Sequence, residues 1–427
     1  MIALCNSRGV PLPPYLPPTL PAGVVQGVST PMLASEVAAC LPFGVRKVVT
    51  DVPVLDGPLS VDVADVLLRL GQALTPPVPT TATARSFHWP MLKYLHFFDE
   101  VAGALHAGGE AAWYVHHGRT AVSDELGVAF SLLAGEWWLH SLGLQGFNVY
   151  DVEGCLTGRY GAQGPAVATR GGYRRRPDWI ISSVDNSGAR WYFVLESKGT
   201  KVGSRRQHAM TLASAVEQLE GITVLGRPFG GLAVRTVSGV GPIEVWSVDP
   251  PASDPVVLRT DNSVVKKYQA DRLDAIKSRP KKQGPSRDAA VEDITHDELM
   301  GYAALTDASK LAQWSAEPEL LEKLVKVPTQ ARIPRARLDL GSETALGLLM
   351  PIPGEPYVLF TGVLDRVEEP LRDLDFEGVD REQAHVVPHS FKELRDRREI
   401  QVSVAGNGMV AAVLPRSDVG TSRLRSE

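Results

Sequence analysis

Two consecutive β-like runs joined by a short turn constrain the fold of this chain more than any other feature. The first run, PDWIISSV, covers residues 177–184, and the second, RWYFVLESKG, covers 190–199. The segment between them, DNSG at 185–188, is typical of a hairpin turn. Their β-branched and aromatic residues predict two strands buried in a sheet. We therefore expect the acid that opens the first strand to lie beside the polar end of the second.

The segments around this hairpin alternate between helical and strand patterns. Ser123 is a suitable N-cap for a helix whose apolar face includes Leu126 and Phe130. The further elements predicted from periodicity are a strand at 146–152, a helix at 204–220 that ends before Gly221, and strands at 231–237 and 242–248. Residues 119–250 thus predict an α/β domain with the order α-β-β-β-α-β.

Three polar residues of the hairpin carry the chemistry. Asp178 opens the first strand, and the two-residue period of a strand places Glu196 and Lys198 on the same face of the second. Two carboxylates at buried strand ends are costly without a partner, and a divalent cation is their natural partner. Mg²⁺ prefers oxygen ligands and keeps several waters, so it can sit beside a substrate phosphate. A neighbouring ammonium group can orient the attacking water or stabilise the phosphorane.

This arrangement resembles the PD-(D/E)XK nuclease superfamily, whose fold is called restriction-endonuclease-like. The resemblance rests on Pro177-Asp178, 17 intervening residues and Glu196-Ser197-Lys198, and it covers roughly residues 120–250. It implies an α-β-β-β-α-β core with a mixed central sheet. It also implies a nuclease that depends on Mg²⁺, with Mn²⁺ as a substitute. Asp178 and Glu196 would be metal ligands, and Asp178, Glu196 and Lys198 would be catalytic.

Members of this superfamily often add an acid from the first helix and a polar residue from the helix after the motif. For the acid we favour Glu125, as a metal ligand and catalytic residue. The competitor is Glu136, on the same helix face about three turns later. Either glutamate could instead be an exposed helix carboxylate. Gln218, or else Gln207, is the candidate auxiliary residue on the second helix, and both could equally be solvated.

The charges near the motif suit a polyanion, although the net charge of the whole chain is −5. Between residues 170 and 210 there are nine basic residues and only three acids. A phosphate-binding surface is the first interpretation, and a solvated run of charge is the alternative. The residues expected to bind nucleic acid are Arg174, Arg175, Arg176, Lys201, Arg205 and Arg206.

At 427 residues the chain predicts more than one domain. We expect a Pro-rich N-terminal region with helices at 1–118, the nuclease domain at 119–250, a basic linker at 251–288 and a mixed accessory domain at 289–427. A helix is expected at 61–73, and an amphipathic one at 91–107. Strands are expected at 357–364, 398–404 and 408–414.

Cellular context follows from what the sequence lacks. There is no run of about 18 apolar residues and no basic-then-apolar leader, so neither a membrane span nor a signal peptide is expected. Three dispersed cysteines suit a reducing cytoplasm and argue against a disulfide framework.

The first functional expectation is a DNA endonuclease, with RNA left open as a substrate. Its role would be in restriction or other defence against foreign DNA, acting as a homodimer or with a partner defence protein. The alternatives are a catalytically silent DNA-binding or assembly module of the same fold, and a nuclease of DNA repair or recombination.

Overall fold

A computed structural model gives the architecture of the protein. It describes residues 20–74, 88–108, 116–157, 167–259 and 335–426, with short gaps inside some of these ranges. Between residues 263 and 324 it describes only scattered residues. The Pro-rich residues 1–19, the basic stretch 277–288 and Arg174 lie outside the described residues.

The described strands fall into a large central sheet, a C-terminal sheet and one small pair. They are β1 (Ala22–Val28), β2 (Gly57–Asp62), β3 (Phe98–Val101), β4 (Ala104–Ala107), β5 (Gln145–Asp151), β6 (Val167–Thr169), β7 (Trp179–Val184), β8 (Ala189–Thr200), β9 (Ile222–Val224), β10 (Gly231–Val237), β11 (Glu244–Val248), β12 (Val256–Arg259), β13 (Arg335–Asp339), β14 (Thr344–Pro351), β15 (Tyr357–Leu364), β16 (His389–Arg395), β17 (Arg398–Val404), β18 (Met409–Pro415) and β19 (Leu424–Ser426).

The described helices vary widely in length. They are α1 (Pro31–Cys40), α2 (Val63–Leu74), α3 (His88–Tyr94), α4 (His116–Ser141), α5 (Val152–Leu156), α6 (Arg205–Leu219), α7 (Asp365–Arg372) and α8 (Phe376–Gln383). None of them is both long enough and apolar enough to cross a membrane.

The central sheet is mixed, and the molecule is an α/β protein. Its strand order is β3-β4-β1-β11-β10-β8-β7-β5, with β2 paired to β1 and β12 paired to the start of β8. Strand β10 runs parallel to β8, while β7 is antiparallel to both β8 and β5. The pairs β1–β11 and β1–β4 are also parallel. The parallel β8–β10 pair follows from the crossover through α6, since parallel neighbours cannot be joined by a tight turn.

Alternate residues of β8 enter two different hydrophobic clusters. Phe193 and Leu195 join the cluster that contains residues of α2 and α4, whereas Tyr192 and Val194 join the cluster that contains residues of α1 and α6. Because successive strand side chains point to opposite faces, the sheet lies between two helical layers. This explains why the strand reads as an almost continuous apolar run up to Glu196.

The N-terminal strands belong to the same sheet as the hairpin. Strand β1 lies between β11 and β4, and it also pairs with β2. The central sheet therefore contains strands from both sides of the domain boundary expected near residue 118. Sequence patterns did not indicate this pairing, because the two partners lie far apart along the chain.

Two local predictions were wrong. Residues 91–107 do not form one helix: α3 ends at Tyr94, and β3 and β4 form a hairpin. Its turn contains Ala102 and Gly103, both with positive φ (52° and 85°), a two-residue hairpin geometry. Ser123 is not an N-cap either, because α4 begins earlier, at His116, and Ser123 lies inside it.

The C-terminal region forms a seven-stranded sheet in the order β16-β17-β18-β15-β14-β13-β19. The strands predicted at 357–364, 398–404 and 408–414 are confirmed as β15, β17 and β18. Helix α2 contacts both the central strand β5 and the C-terminal strands β17 and β18. The helix predicted at 61–73 thus joins the two sheets.

Candidate active site

The β7–β8 hairpin positions the two acids opposite each other. Its turn is closed by Asp185, whose carboxylate accepts the N–H groups of Ser187 (2.8 Å) and Ala189 (3.0 Å), and by Gly188 with φ of 76°. The register pairs Trp179 with Leu195, which brings Asp178 beside Glu196. The predicted turn therefore fixes the register on which the site depends.

Glu196 is the most enclosed member of the site, with 0% of its surface exposed. Its Oε2 accepts the backbone N–H of Asp178 at 2.9 Å, and its Oε1 accepts a hydrogen bond from Lys198 Nζ. Burial raises the pKa of Glu196 to about 8, and the nearby charge of Asp178 acts in the same direction while Lys198 opposes it. A buried carboxylate that resists ionisation beside a second carboxylate is a site that gains from a cation.

Asp178 is held by a residue that sequence reasoning passed over. Its Oδ2 accepts the backbone N–H of Ser197 at 3.1 Å and the Ser197 hydroxyl at 2.7 Å. These bonds orient the carboxylate while leaving the cluster partly open, since Asp178 is only half-buried. The sequence feature that could have indicated this role is the position of Ser197 between Glu196 and Lys198.

Lys198 links the strand to α6. In addition to its ion pair with Glu196, its Nζ lies 3.4 Å from Gln218 Oε1, and Gln218 is buried. Gln207, the competing amide, instead belongs to the capping box of α6: its side chain accepts the Ser204 N–H at 2.7 Å. Of the two amides considered, Gln218 is the one that touches the site.

On α4, Asp124 is electrostatically coupled to Asp178 and Lys198. Burial raises the pKa of Asp124, the carboxylates of Asp178 and Glu125 raise it further, and Lys198 lowers it. A close helix–strand contact brings it there, because a Cβ on Gly127 would lie 2.7 Å from Gly199 Cα. Asp124 was not among the expected residues, although it directly precedes Glu125.

Glu125, the acid favoured from the sequence, faces α3 instead. Its carboxylate accepts hydrogen bonds from Lys93 Nζ (2.9 Å to each oxygen) and from the Tyr94 hydroxyl (2.7 Å). Glu136 is buried farther along α4, where it pairs with Arg69 and accepts the Gly406 N–H at 3.1 Å. Glu136 lies twelve positions after Asp124, or roughly 18 Å along the helix axis. We therefore revise the expected helix acid from Glu125 to Asp124.

The expected phosphate-binding residues differ in their surroundings. Arg175 is exposed and donates to Ser214 Oγ at 3.1 Å, and Arg176 pairs with Glu153 at 2.6 Å. Arg205 pairs with Glu36 at 3.0 Å, Arg206 is exposed at the start of α6, and Lys201 is half-buried just beyond β8. Two of these cations are thus partly neutralised by acids of neighbouring elements.

Asp178 and Glu196 present the oxygen donors that Mg²⁺ prefers, and backbone carbonyl oxygen and water would complete its ligands. Among the described residues, no three His, Cys, Asp or Glu side chains are close enough together to hold a metal ion. The burial of Glu196 beside Asp178 favours a cation here, because positive charge would offset the repulsion between the two carboxylates that contributes to the raised pKa of Glu196.

Comparison of the chain with protein-family models, with curated proteins and with solved structures finds no match.

Proposed function

We propose that this chain is a metal-dependent phosphodiester hydrolase with a restriction-endonuclease-like core, and that its substrate is DNA. The observation that carries the proposal is the convergence of Asp178, Glu196 and Lys198 at the adjacent ends of β7 and β8. Two carboxylates and one ammonium group in this arrangement suit hydrolysis at a phosphate.

The order and pairing of the surrounding elements support the assignment of the core. Helix α4, strands β5, β7 and β8, helix α6 and strand β10 follow one another with only the short α5, β6 and β9 inserted. The three strands are antiparallel neighbours, and β10 joins them parallel to β8. This order and pairing support the proposed restriction-endonuclease-like core.

Each side chain has a distinct task in the proposed reaction. Asp178 and Glu196 would hold the cation, and Ser197 orients Asp178. When bound, Mg²⁺ supplies a water of lowered pKa and positive charge beside the scissile phosphate. Lys198, steadied by Gln218, donates a hydrogen bond to the attacking water or to a phosphate oxygen. Asp124 adds a further carboxylate from α4, which covers the other face of the sheet from α6.

A polyanionic substrate such as DNA is supported by exposed basic residues on the segments that adjoin the site. Arg175 and Arg206 are exposed near the hairpin and at the first turn of α6, respectively. The first turn of a helix favours a phosphate because its N–H groups are unpaired and its dipole end is positive. These cations would bind the backbone of the strand without reading its sequence.

The test is a cleavage assay with supercoiled plasmid, linear duplex, single-stranded DNA and RNA, in Mg²⁺, Mn²⁺ or EDTA. Wild-type protein should cut DNA with either metal and be inactive in EDTA. Glu196→Gln and Asp178→Asn should lower the rate at least about a hundredfold, because each removes charge that holds the cation. Glu377→Gln, an exposed acid of α8, is the matched control and should retain activity.

Stability measurements make a negative result interpretable. Glu196→Gln removes a carboxylate that burial disfavours, so this variant should unfold at a denaturant concentration no lower than wild type. DNA binding without cleavage by wild type would replace the proposal with the silent binding module. Equal activity in wild type and both acid variants would reject this site.

A further inference from the structure

Helix α6 carries a line of side chains that leads from its first turn to the candidate active site. Arg206, Met210, Ser214 and Gln218 are spaced four residues apart, so they follow one another along a single ridge of the helix. At 1.5 Å per residue this ridge is roughly 18 Å long. Its last member, Gln218, is the residue whose Oε1 lies 3.4 Å from Lys198 Nζ. The ridge therefore ends at the proposed catalytic lysine.

Two exposed cations lie along this ridge. Arg206 is in the first turn of α6, and Arg175 donates a hydrogen bond from Nη1 to Ser214 Oγ at 3.1 Å. Within the part of the chain that the structure describes, neither guanidinium pairs with a carboxylate. Glu217, the only acid of α6, is half-buried in its last turn. The accessible charge along the ridge is thus positive, which suits a phosphate backbone.

An exposed apolar side chain separates the two cations. Met210 is 54% exposed, one turn after Arg206 and one turn before the Ser214 that Arg175 contacts. A single DNA strand presents base faces as well as phosphates, so a flexible thioether can pack on a base while the arginines bind the backbone. A duplex keeps its base faces stacked inside and offers chiefly phosphates to such a ridge. An apolar side chain between two cations therefore favours the single strand.

We propose that the ridge from Arg206 to Gln218, with Arg175 beside it, guides an unpaired DNA strand to the candidate active site. Phosphates of the strand contact Arg206 and Arg175, and a base between them packs on Met210. The strand then reaches Lys198, where the next phosphate enters the site. The inference rests on the proposed function for the destination of the strand, whereas binding along the ridge requires neither a metal ion nor hydrolysis.

The experiment is fluorescence anisotropy with a short labelled single strand and the matching duplex, in EDTA so that no cleavage occurs. Wild type should bind the single strand at least about tenfold more tightly than the duplex. Arg206→Ala and Arg175→Ala should each weaken single-strand binding at least about threefold. Each should also reduce the slope of log K against log salt by about 0.7, the value for one phosphate contact on a single strand. Arg381→Ala, at an exposed arginine of α8, is the control and should change neither quantity.

Variants of Met210 distinguish a base contact from a phosphate contact. Met210→Ala should weaken single-strand binding about threefold without changing the salt slope, because a contact to a base releases no counterions. Met210→Trp should strengthen single-strand binding at least about threefold and leave duplex binding unchanged, since an indole stacks on bases. Both variants should fold, because Met210 is exposed. Leu142→Ala, at an equally exposed position (54%) just beyond the far end of α4, is the control and should bind as wild type does.

Equal affinity for the single strand and the duplex would overturn the proposal, and so would single-strand binding that the Arg206, Arg175 and Met210 variants leave unchanged. Single-strand binding that depends on the ridge, without cleavage in Mg²⁺, would support the ridge as a binding site and reject the hydrolase. Cleavage in Mg²⁺ by a protein whose binding is insensitive to the ridge variants would support the hydrolase and reject the ridge.

Discussion

Asp124 and Glu125 are neighbours in sequence with different surroundings. Asp124 lies within the electrostatic reach of Asp178 and Lys198, whereas Glu125 holds Lys93 and Tyr94 of α3. The two acids therefore offer a comparison in which the same chemical change should have two different effects.

Asp124→Asn should reduce cleavage about tenfold or more, because it removes a negative charge near the proposed cation, and should leave stability nearly unchanged. Glu125→Gln should retain cleavage but lower the free energy of unfolding by about 1 kcal/mol, since it weakens charged hydrogen bonds to α3. Cleavage rates and urea denaturation of both variants measure this. The reverse ranking would restore Glu125 as the helix acid.

Asp65 provides a pH-dependent test of the contact between α2 and the C-terminal sheet. Burial raises the pKa of Asp65 from 3.8 to about 6, Asp62 and Glu136 add to this, and Ser403 and Arg69 oppose it. The folded protein thus holds this proton more tightly than the unfolded chain. Stability that depends on the protonated form is full below pH 3.8 and is lost as the pH rises through about 6.

Asp65→Asn should therefore raise the free energy of unfolding at pH 7.5 by about 1–3 kcal/mol, since the amide keeps the Ser403 bond without the buried charge. At pH 4 the gain should shrink to near zero. Denaturant titrations of wild type and variant at the two pH values measure the difference. A gain that is equal at both values would show that the carboxyl is not perturbed.

The sequence predicted which residues share a face of one strand, but it did not predict which residues of other elements lie beside them. The two-residue period placed Glu196 and Lys198 on one face, and the ion pair between them agrees with that placement. Asp124 was missed because its orientation depends on where α4 begins, and the interpretation of Ser123 as an N-cap started the helix too late.

At the scale of elements, two glycines set the distance between α4 and β8. A Cβ on Gly199 would lie 1.9 Å from the backbone oxygen of Ser123, so no side chain fits unless the helix moves. The same approach brings Asp124 toward Lys198. The position of α4 over the active site is thus linked to the absence of a side chain at residue 199.

Gly199→Ala should lower the free energy of unfolding by about 1–3 kcal/mol, the usual cost of overpacking, and should reduce cleavage as Asp124 is displaced. Gly171→Ala is the control, because a Cβ there meets no atom within 4 Å. Chemical denaturation and the plasmid assay report the two effects. Wild-type stability in Gly199→Ala would mean that the helix is free to shift.

Elements with strong local signals were predicted well, and elements with mixed signals were not. The hairpin of β7 and β8 and helix α6 carry their own turn and capping residues, so local chemistry defines them. Residues 91–107 mix helical spacing with a short hairpin, and the Ala102–Gly103 turn lacks the usual Asn or Asp signal.

At the scale of the whole molecule, a buried arginine ties the central sheet to the C-terminal half. Arg190, at the start of β8, forms ion pairs with Asp307 and with Asp380 of α8, and all three are buried. Burial of these charges is tolerated only because they compensate one another.

Arg190→Met should lower the free energy of unfolding by about 3–5 kcal/mol, because it leaves two buried carboxylates without their cation. The triple variant Arg190→Met, Asp307→Asn, Asp380→Asn should recover part of that loss, since no unpaired charge remains. Urea denaturation of the three proteins tests this. Equal destabilisation in the single and triple variants would mean that side-chain packing, and not charge, determines the cost.

Strand β11 has a consequence for how the molecule is made. It lies between β1 and β10, and among the described strands it is the one that joins the N-terminal strands to the strands of the candidate site. Gln26 pairs with Glu244, a separation of 218 residues. At a synthesis rate of about 5–20 residues per second, the nascent β1 waits roughly 11–44 s for this partner. During that time β1 presents an open edge, and a chain that stops after β10 but before β11 leaves the facing edges of β1 and β10 both available for association with other strands.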